Sequence, residues 1–413
     1  MIAKWLWLLR SILRRLWVRV ASFAVLAIAS AIAAPALSPL VPDGWAELLG
    51  GDAVDQVLTI LASSMLAVTT FSLSIAVNAF TAAASSATPR AIKLLQEDHI
   101  TQTTLATFLG AFVYSIVAII GLNASYYDDG GRVVLFFSTI LVTAIVVIAL
   151  LRWIGYLPDF GRMENTLDRV EEAARDALST RLESPYLGAH PDGATVPDGA
   201  YPVNCDLAGY VQHIDMGPLQ EWAEEAGAQV WLAVLPGDFV HPAMAVVHVL
   251  GGEPDDAARK TFHNAFTIAA DRTFDQDPRF GMIVFSEIAS RALSPGINDP
   301  GTAIAVIGRQ LSVLSDWRVE EGPDVHFDRL HVPSVDPDEM LDAAFRPIAR
   351  DGIGQAEVLA RLIAALRGLA ALSPDVYADG ANAIIDELDE RLGSANLTER
   401  DLQQIAVARG TVQ

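Results

Sequence analysis

Four long apolar segments lie between residues 1 and 157, and none follows from 158 to 413. They are Val18–Pro35, a segment within Ala53–Ala84, Thr104–Ala124 and Val133–Leu151. Each is near or above the roughly 20 residues that a helix needs to cross about 30 Å of hydrocarbon. Their cores hold no Asp, Glu, Lys or His, and Arg19 sits only at an edge. The first segment has the outline of a secretory signal, but a long basic stretch precedes it and Pro35 directly follows Ala34, the best cleavage residue. An uncleaved helix is expected instead. The expected fold class is an α-helical polytopic membrane domain of four transmembrane helices (18–157), followed by a cytosolic α+β domain with a small β-rich region and a helical C-terminal part.

Basic residues set the expected orientation. Lys4, Arg10, Arg14, Arg15 and Arg19 precede the first span; Arg90 and Lys93 lie between the second and third; Arg152 and Arg162 follow the fourth. The other two loops carry Asp43, Glu47 and Asp52, then Asp128, Asp129 and Arg132. Both termini are therefore expected on the cytoplasmic side of a bacterial inner membrane, with the lipid bilayer as first partner. Trp17, Trp45, Tyr126, Tyr127, Trp153 and Tyr156 fall where an aromatic belt belongs. Residues 1–20 read as an interfacial amphipathic helix, with Leu6, Leu9, Leu13 and Leu16 on one face and Lys4, Arg10, Arg14 and Arg15 on the other.

The charge is segregated. Nine basic residues meet eight acidic ones before residue 158, and 19 meet 42 after it. An acidic tail is a poor partner for nucleic acid and for an anionic leaflet, and it concentrates cations. It serves solubility equally well. Cys205 is the only cysteine, which excludes a disulfide framework and a zinc-thiolate cluster.

The second apolar segment is unusual in two ways. As one helix, residues 53–84 would be roughly 48 Å long. It also carries a polar stripe: Thr59, Ser63, Thr70, Ser74, Asn78, Thr81 and Ser85 fall within about a 100° sector of a 3.6-residue helix. Two readings account for it. Small and hydroxylic residues let neighbouring helices approach and hydrogen-bond. Alternatively, hydroxyls and an amide line a polar path and replace water around a small inorganic ion. A single four-span subunit encloses little space, so the second reading needs a homo-oligomer.

After Leu157-Pro158, residues 159–184 read as a connecting helix and 184–206 as a Pro- and Gly-rich linker. Residues 201–252 form the small β-rich domain, with strands expected at Gly209–Asp215, Ala228–Leu235 and Ala243–Leu250 and a short helix at Leu219–Ala226. Residues 253–413 read as helical throughout. Asp277-Pro278 and Asp299-Pro300 each put an N-cap carboxylate before a proline at the first helical position.

Two stretches are familiar together. The first is Thr88-Pro89-Arg90, Asp98, Gln102 and Leu105-Ala-Thr-Phe-Leu-Gly-Ala-Phe-Val-Tyr114; the second is Asp275-Gln-Asp-Pro-Arg-Phe-Gly281 with Arg291-Ala-Leu-Ser-Pro-Gly-Ile-Asn-Asp-Pro300. They resemble a widespread bacterial family of predicted four-span inner-membrane proteins known only as a domain of unknown function. Gly209–Asp215 and Pro236-Gly-Asp-Phe-Val240 are similar to its β region, although His241-Pro242-Ala243 stand where such proteins usually carry a glycine. The resemblance implies membrane location and architecture, and brings no activity.

Among candidate sites, Asp277, Glu287, Arg291, Asn298 and Asp299 form a polar group around the expected connection between two helices. They suit a cation or small ligand, and capping with ion pairing explains the same residues. His213, His241, His248 and Asp215 lie in the β-rich stretch at spacings that match no short metal motif, so no metal site and no cofactor are expected. There is no phosphate-cradling glycine loop and no Gly-x-Ser-x-Gly. The absence of ionisable side chains in the spans speaks against proton coupling. The expectation is a non-enzymatic oligomeric pore lined at Thr59, Ser63, Thr70, Ser74, Asn78 and Thr81. The alternative is a membrane-anchored sensor or scaffold whose cytosolic part binds a ligand or partner protein.

Overall fold

The computed structural model describes residues 12–13, 16–40, 51–191, 193, 195–317, 324–393 and 395–410. Most of the basic amphipathic helix expected over residues 1–20, and Trp45 of the aromatic belt, lie outside them. The described chain forms two compact units, one holding the apolar helices up to residue 85 and from 89 to 166, the other holding residues 86–88 and those from 167 onward.

The first unit has four helices long and apolar enough to span a membrane. They are α1 (Leu16–Ala33), α2 (Gly51–Ser86), α4 (His99–Asn123) and α5 (Asp129–Tyr156), with the short α3 (Pro89–Gln96) between α2 and α4. Helix α4 is the centre, and α1 packs along it. Gly110 of α4 meets Phe23 of α1, where an added Cβ would stand 3.5 Å from the Phe23 backbone oxygen. A small residue there lets the two backbones approach. Around α4, Leu58 of α2, Tyr114 and Leu135 close one buried cluster, and Met65, Phe108, Val146 and Trp153 close another.

Helix ends in this unit follow from local chemistry. Pro35 has no N–H, so the Ala31 carbonyl loses its helical donor. The Tyr127 hydroxyl donates to Ala31 O at 3.0 Å instead, and the chain continues as a 3-10 helix, Ala34–Leu40. Asp128 caps α5, accepting from Gly131 N–H at 2.7 Å. The first familiar stretch builds the α3–α4 connection. Asp98 accepts from both the N–H and the hydroxyl of Thr101 at 2.8 Å, and the Gln102 amide donates to Gln96 O at 2.8 Å. These caps start α4 and α5 several residues ahead of the apolar segments visible in sequence.

Helix α6 (Met163–Glu183) starts later than the expected 159, because Gly161 takes φ +80° and turns the chain first. It enters the α+β unit. There, β1 (Ala189–His190), β2 (Tyr201–Asn204), β3 (Gly209–Ile214), α7 (Met216–Ala226), β4 (Gln229–Leu232), β5 (Phe239–Val240), β6 (Ala245–Leu250), α8 (Asp256–Ala265) and β7 (Phe266–Ala269) follow in order. Next come α9 (Pro278–Ala292), α10 (Pro300–Leu314), β8 (Phe327–His331), α11 (Pro337–Asp351), α12 (Ala356–Leu372), α13 (Pro374–Leu392) and α14 (Glu399–Arg409).

A five-stranded mixed sheet has the order β1-β8-β4-β6-β2, and a three-stranded sheet the order β5-β3-β7. The expected linker 184–206 therefore contains two sheet strands. Pro202 is tolerated in β2 because β2 is an edge strand. The stretch beyond 252 is not helical throughout either. β7 and β8 interrupt it, and both sheets draw strands from each side of that boundary. Short strands of two to five residues have no period of their own, so pairing partners decided them. The loop at His241-Pro242-Ala243 closes without glycine: Met244 N–H donates to His241 O at 2.9 Å.

The helical part packs around Phe285, Phe345, Leu359 and Leu366, all fully buried. Gln310 ties three helices, its amide donating to Ala344 O at 2.9 Å and Met282 O at 3.4 Å. The Tyr377 hydroxyl donates to Leu314 O at 2.9 Å.

Candidate functional site

Helix α2 is one unbroken helix of 36 residues, about 54 Å at 1.5 Å per residue. One face is buried: Val54, Leu58, Leu61, Met65, Ala76 and Ala83. Thr59, Ser63, Thr70, Ser74, Asn78 and Thr81 are all exposed. At about 100° per residue the two sets are centred on opposite sides of the helix. The stripe thus points away from the subunit's own bundle, which removes packing between spans of one subunit as its explanation. The side chain of Ser85 is outside the description.

The stripe residues differ in how they meet their hydrogen-bonding needs. Ser63, Thr70 and Thr81 donate back to Thr59 O, Leu66 O and Val77 O of their own helix, each at 2.9 Å. A hydroxyl can hide in an apolar medium this way. Ser74 and Asn78, one turn apart, have no hydrogen bond to any described residue. A carboxamide has two donors and an acceptor, and leaving it unpaired in hydrocarbon costs on the order of several kcal/mol.

The second constellation separates into two places. Helix α9 has 15 residues and is about 23 Å long, with Asp277 before its first turn and Asn298 and Asp299 beyond its last. Asp277 is therefore not part of the α9–α10 connection, and the grouping expected from sequence does not form. At the connection, Asp299 caps α10, accepting from Thr302 N–H at 3.1 Å and from its hydroxyl at 2.6 Å. These bonds hold its carboxyl below the usual range. Asn298 takes the left-handed conformation, φ +51°, which Asn tolerates better than most residues. Its side-chain oxygen accepts from the Gln355 amide at 3.1 Å. Glu287 and Arg291 share a face of α9, but no ion pair joins Arg291 to any described residue. The connection is built as a capped turn.

Asp277 has a different setting. It stands at the N-cap position of α9 yet makes no side-chain cap bond. Its carboxyl is buried and packs on Gly237, where a Cβ would meet Oδ2 at 2.3 Å. Arg272 brings Nε and Nη2 both to 2.7 Å of Asp277 Oδ2, with Nε aligned as a hydrogen bond. Arg279 Nε is 4.0 Å from Oδ1, while its Nη atoms hold Asp238 and Glu339. Arg181 of α6 completes the group, buried to 4 % exposure. Burial pulls the Arg181 guanidinium down to about 10. Burial also pushes the Asp277 carboxyl up, against the opposing pull of Arg272 and Arg279.

Sequence reasoning singled out Asp277 but missed Arg181, Asp238, Arg272 and Arg279. Two of them lie inside quoted motifs, Asp238 in Pro236-Gly-Asp and Arg279 in Asp275–Gly281, so the motifs were the available signal. Arg181 in a charged helix gave none. The expected histidines do not converge. His213 lies in β3 and His248 in β6, in different sheets, and His241 follows β5. His331 of β8 instead stacks on Trp231 at 4.1 Å between ring centroids. No group of three metal-ligating side chains occurs among the described residues.

No solved structure matches the chain significantly. Uncharacterized proteins of Mycobacterium tuberculosis and Mycobacterium bovis are 26% identical over 294 residues, covering 65% of this chain. The chain spans about half the length of these curated relatives, 53%. The profile of the DUF2254 family, described as predicted membrane protein, matches residues 14–368. That range takes in all four apolar helices, both sheets and the arginine-rich junction at Asp277, and the chain belongs to this family of predicted membrane proteins.

Proposed function

We propose that the protein is a non-enzymatic homo-oligomer of the bacterial inner membrane, with both termini cytoplasmic, in which α2 lines a path for small inorganic cations. One observation carries the reading: the polar stripe of α2 faces away from the bundle it packs in, and Ser74 and Asn78 have no hydrogen-bond partner among the described residues. In hydrocarbon such groups need another chain or water. Several copies of α2 around an axis supply both. The lining is neutral, so selectivity arises from hydroxyl and amide dipoles, and a chain charge of −22 favours cations over anions. Asn78 carries the largest polar group of the row and forms the constriction.

The test is cysteine substitution at Ser63, Thr70, Ser74 and Asn78 in purified, reconstituted protein, with single-channel recording alongside. Labelling by water-soluble thiol reagents together with cation currents is expected. Unlabelled cysteines and silent bilayers reject the path. Reporter fusions at Gly50, Glu97, Gly130 and Gln413 test the orientation, and an external signal at Gln413 reverses it.

A second reading is a membrane-anchored sensor or scaffold whose α+β part binds a ligand. The buried Arg181, with no carboxylate within ion-pair distance among the described residues, favours it.

A further inference from the structure

We propose that the α+β unit sets the position of α2 through residues 86–88, with Glu287 of α9 as the group that holds Thr88. The coupling concerns α2 as a helix and stands whether α2 lines a path or anchors a sensor.

Residues 86–88 group with the α+β unit, although the chain on either side of them belongs to the first unit. Connections between helices normally run over the surface. Ala87 and Thr88 are instead 1% and 5% exposed. The Thr88 hydroxyl donates to Glu287 Oε2 at 3.3 Å. A bond from a hydroxyl to a carboxylate is charge-assisted and stronger than a neutral one. Glu287 stands on a helix with little freedom to move, because Val284, Phe285, Ile288 and Ala289 beside it are fully buried. Helix α9 is thus a fixed strut of the α+β core, and Glu287 is the side chain by which it reaches Thr88.

The connection has no slack. Only Ala87 and Thr88 separate the end of α2 at Ser86 from the start of α3 at Pro89. Those three Cα steps span at most about 11 Å. Pro89 fixes its own φ and confines Thr88 to extended backbone. A shift of Thr88 is therefore passed to Ser86 rather than absorbed. Helix α2 carries it onward. It has no proline and no glycine after Gly51, and those are the residues at which helices kink. Along its axis Ser86 is about 12 Å from Asn78 and about 18 Å from Ser74. A ligand or partner that displaces α9 thereby displaces the polar row of α2.

The experiment is a double-mutant cycle on the full chain in lipid nanodiscs, read by amide hydrogen exchange. Thr88→Val keeps the branched shape and removes the donor; Glu287→Met keeps the length and removes the acceptor. Each should raise exchange over residues 79–86 about tenfold, as loss of a hydrogen bond to a carboxylate does, and leave α4 and α5 unchanged. The double variant should do no more than the larger single change, since both remove one contact. Thr88→Ser retains the hydroxyl and should keep the wild-type protection. Where Thr88→Val does not fold, Glu287→Met, at a half-buried position, decides alone. Unchanged exchange over residues 79–86, additive effects in the double variant, or an equal rise through α4 and α5 overturns the coupling. Single-channel recording on the same samples keeps the two readings apart. Silent bilayers with the expected cycle reject the path and leave the coupling supported; currents with unchanged exchange reject the coupling and leave the path.

Discussion

Helices α2 and α4 are built from the same residue types and put them to opposite use. Half of the apolar window of α4 is buried, against 22% of that of α2. In α4 the polar side chains Thr101, Gln102, Thr104, Thr107 and Ser115 are buried. Thr107 and Ser115 bond back to their own helix, and the Tyr114 hydroxyl lies 2.6 Å from Ser138 Oγ of α5. In α2 the polar row is exposed. Between helices in lipid the hydrophobic effect gives no net pull, so packing and polar contacts hold the bundle together. The polar residues of α4 serve that bundle. Those of α2 serve whatever lies outside it.

The sharpest way to break this contrast is to cut equally large side chains from the two helices. Phe108→Ala in α4 removes a fully buried ring and should destabilise the subunit by about 3–5 kcal/mol. Phe71→Ala in α2 removes one that is 67% exposed and should leave subunit stability within about 0.5 kcal/mol. Denaturant unfolding in detergent reads both. Equal losses would mean that α2 is as deeply packed as α4.

A related contrast exists between the two Asp-Pro helix starts, and Asp277→Ala probes it. Removing the buried carboxylate leaves Arg272 without its partner, at a cost of about 3–5 kcal/mol. The same readout applies, and a cost under about 1 kcal/mol would show that the junction is not held by Asp277.

Smaller effects sharpen the picture. Tyr114→Phe should cost about 1–2 kcal/mol through its lost contact with Ser138. Asn78→Leu should leave the subunit as stable as before while changing the oligomer seen by crosslinking or native mass spectrometry. An unchanged oligomer would place Asn78 against lipid. Asp299→Ala should cost about 0.5–2 kcal/mol as a lost N-cap, below the cost at Asp277.

The smallest effect is in pH. The Thr302 hydroxyl and N–H depress the Asp299 carboxyl in the fold. Its contribution is therefore complete above the unfolded value of about 3.9 and fades as pH falls through the folded one. The stability gap between wild type and Asp299→Ala should close below about pH 4. A gap that persists there would assign the cap to something other than the ionised carboxylate.

How much was legible follows from which residues carry a period. The four spans announce themselves because a bilayer demands about 20 apolar residues in a row. The Asp-Pro starts and the left-handed Asn298 are local, set by a few neighbouring atoms, and most were readable. β1, with two residues, and β2, opening on Tyr201-Pro202, have no local signature; pairing with β8 and β6 made them strands. Asp277 and Asp299 have the same local sequence context, yet one caps a helix and the other does not. Arg272, Arg279 and Gly237 produce that difference, and only Arg279 lies within three residues of Asp277.

The sequence by itself determined the membrane unit, the length of α2, the spacing of its polar stripe and the local caps, because each depends on residues within a turn or two of one another. Only the tertiary structure decided which way the stripe faces, that Ser74 and Asn78 lack partners among the described residues, and that Arg181 is buried beside Asp277. Direction and burial depend on what packs against the opposite face of an element. Those neighbours come from distant parts of the chain, so no local pattern encodes them.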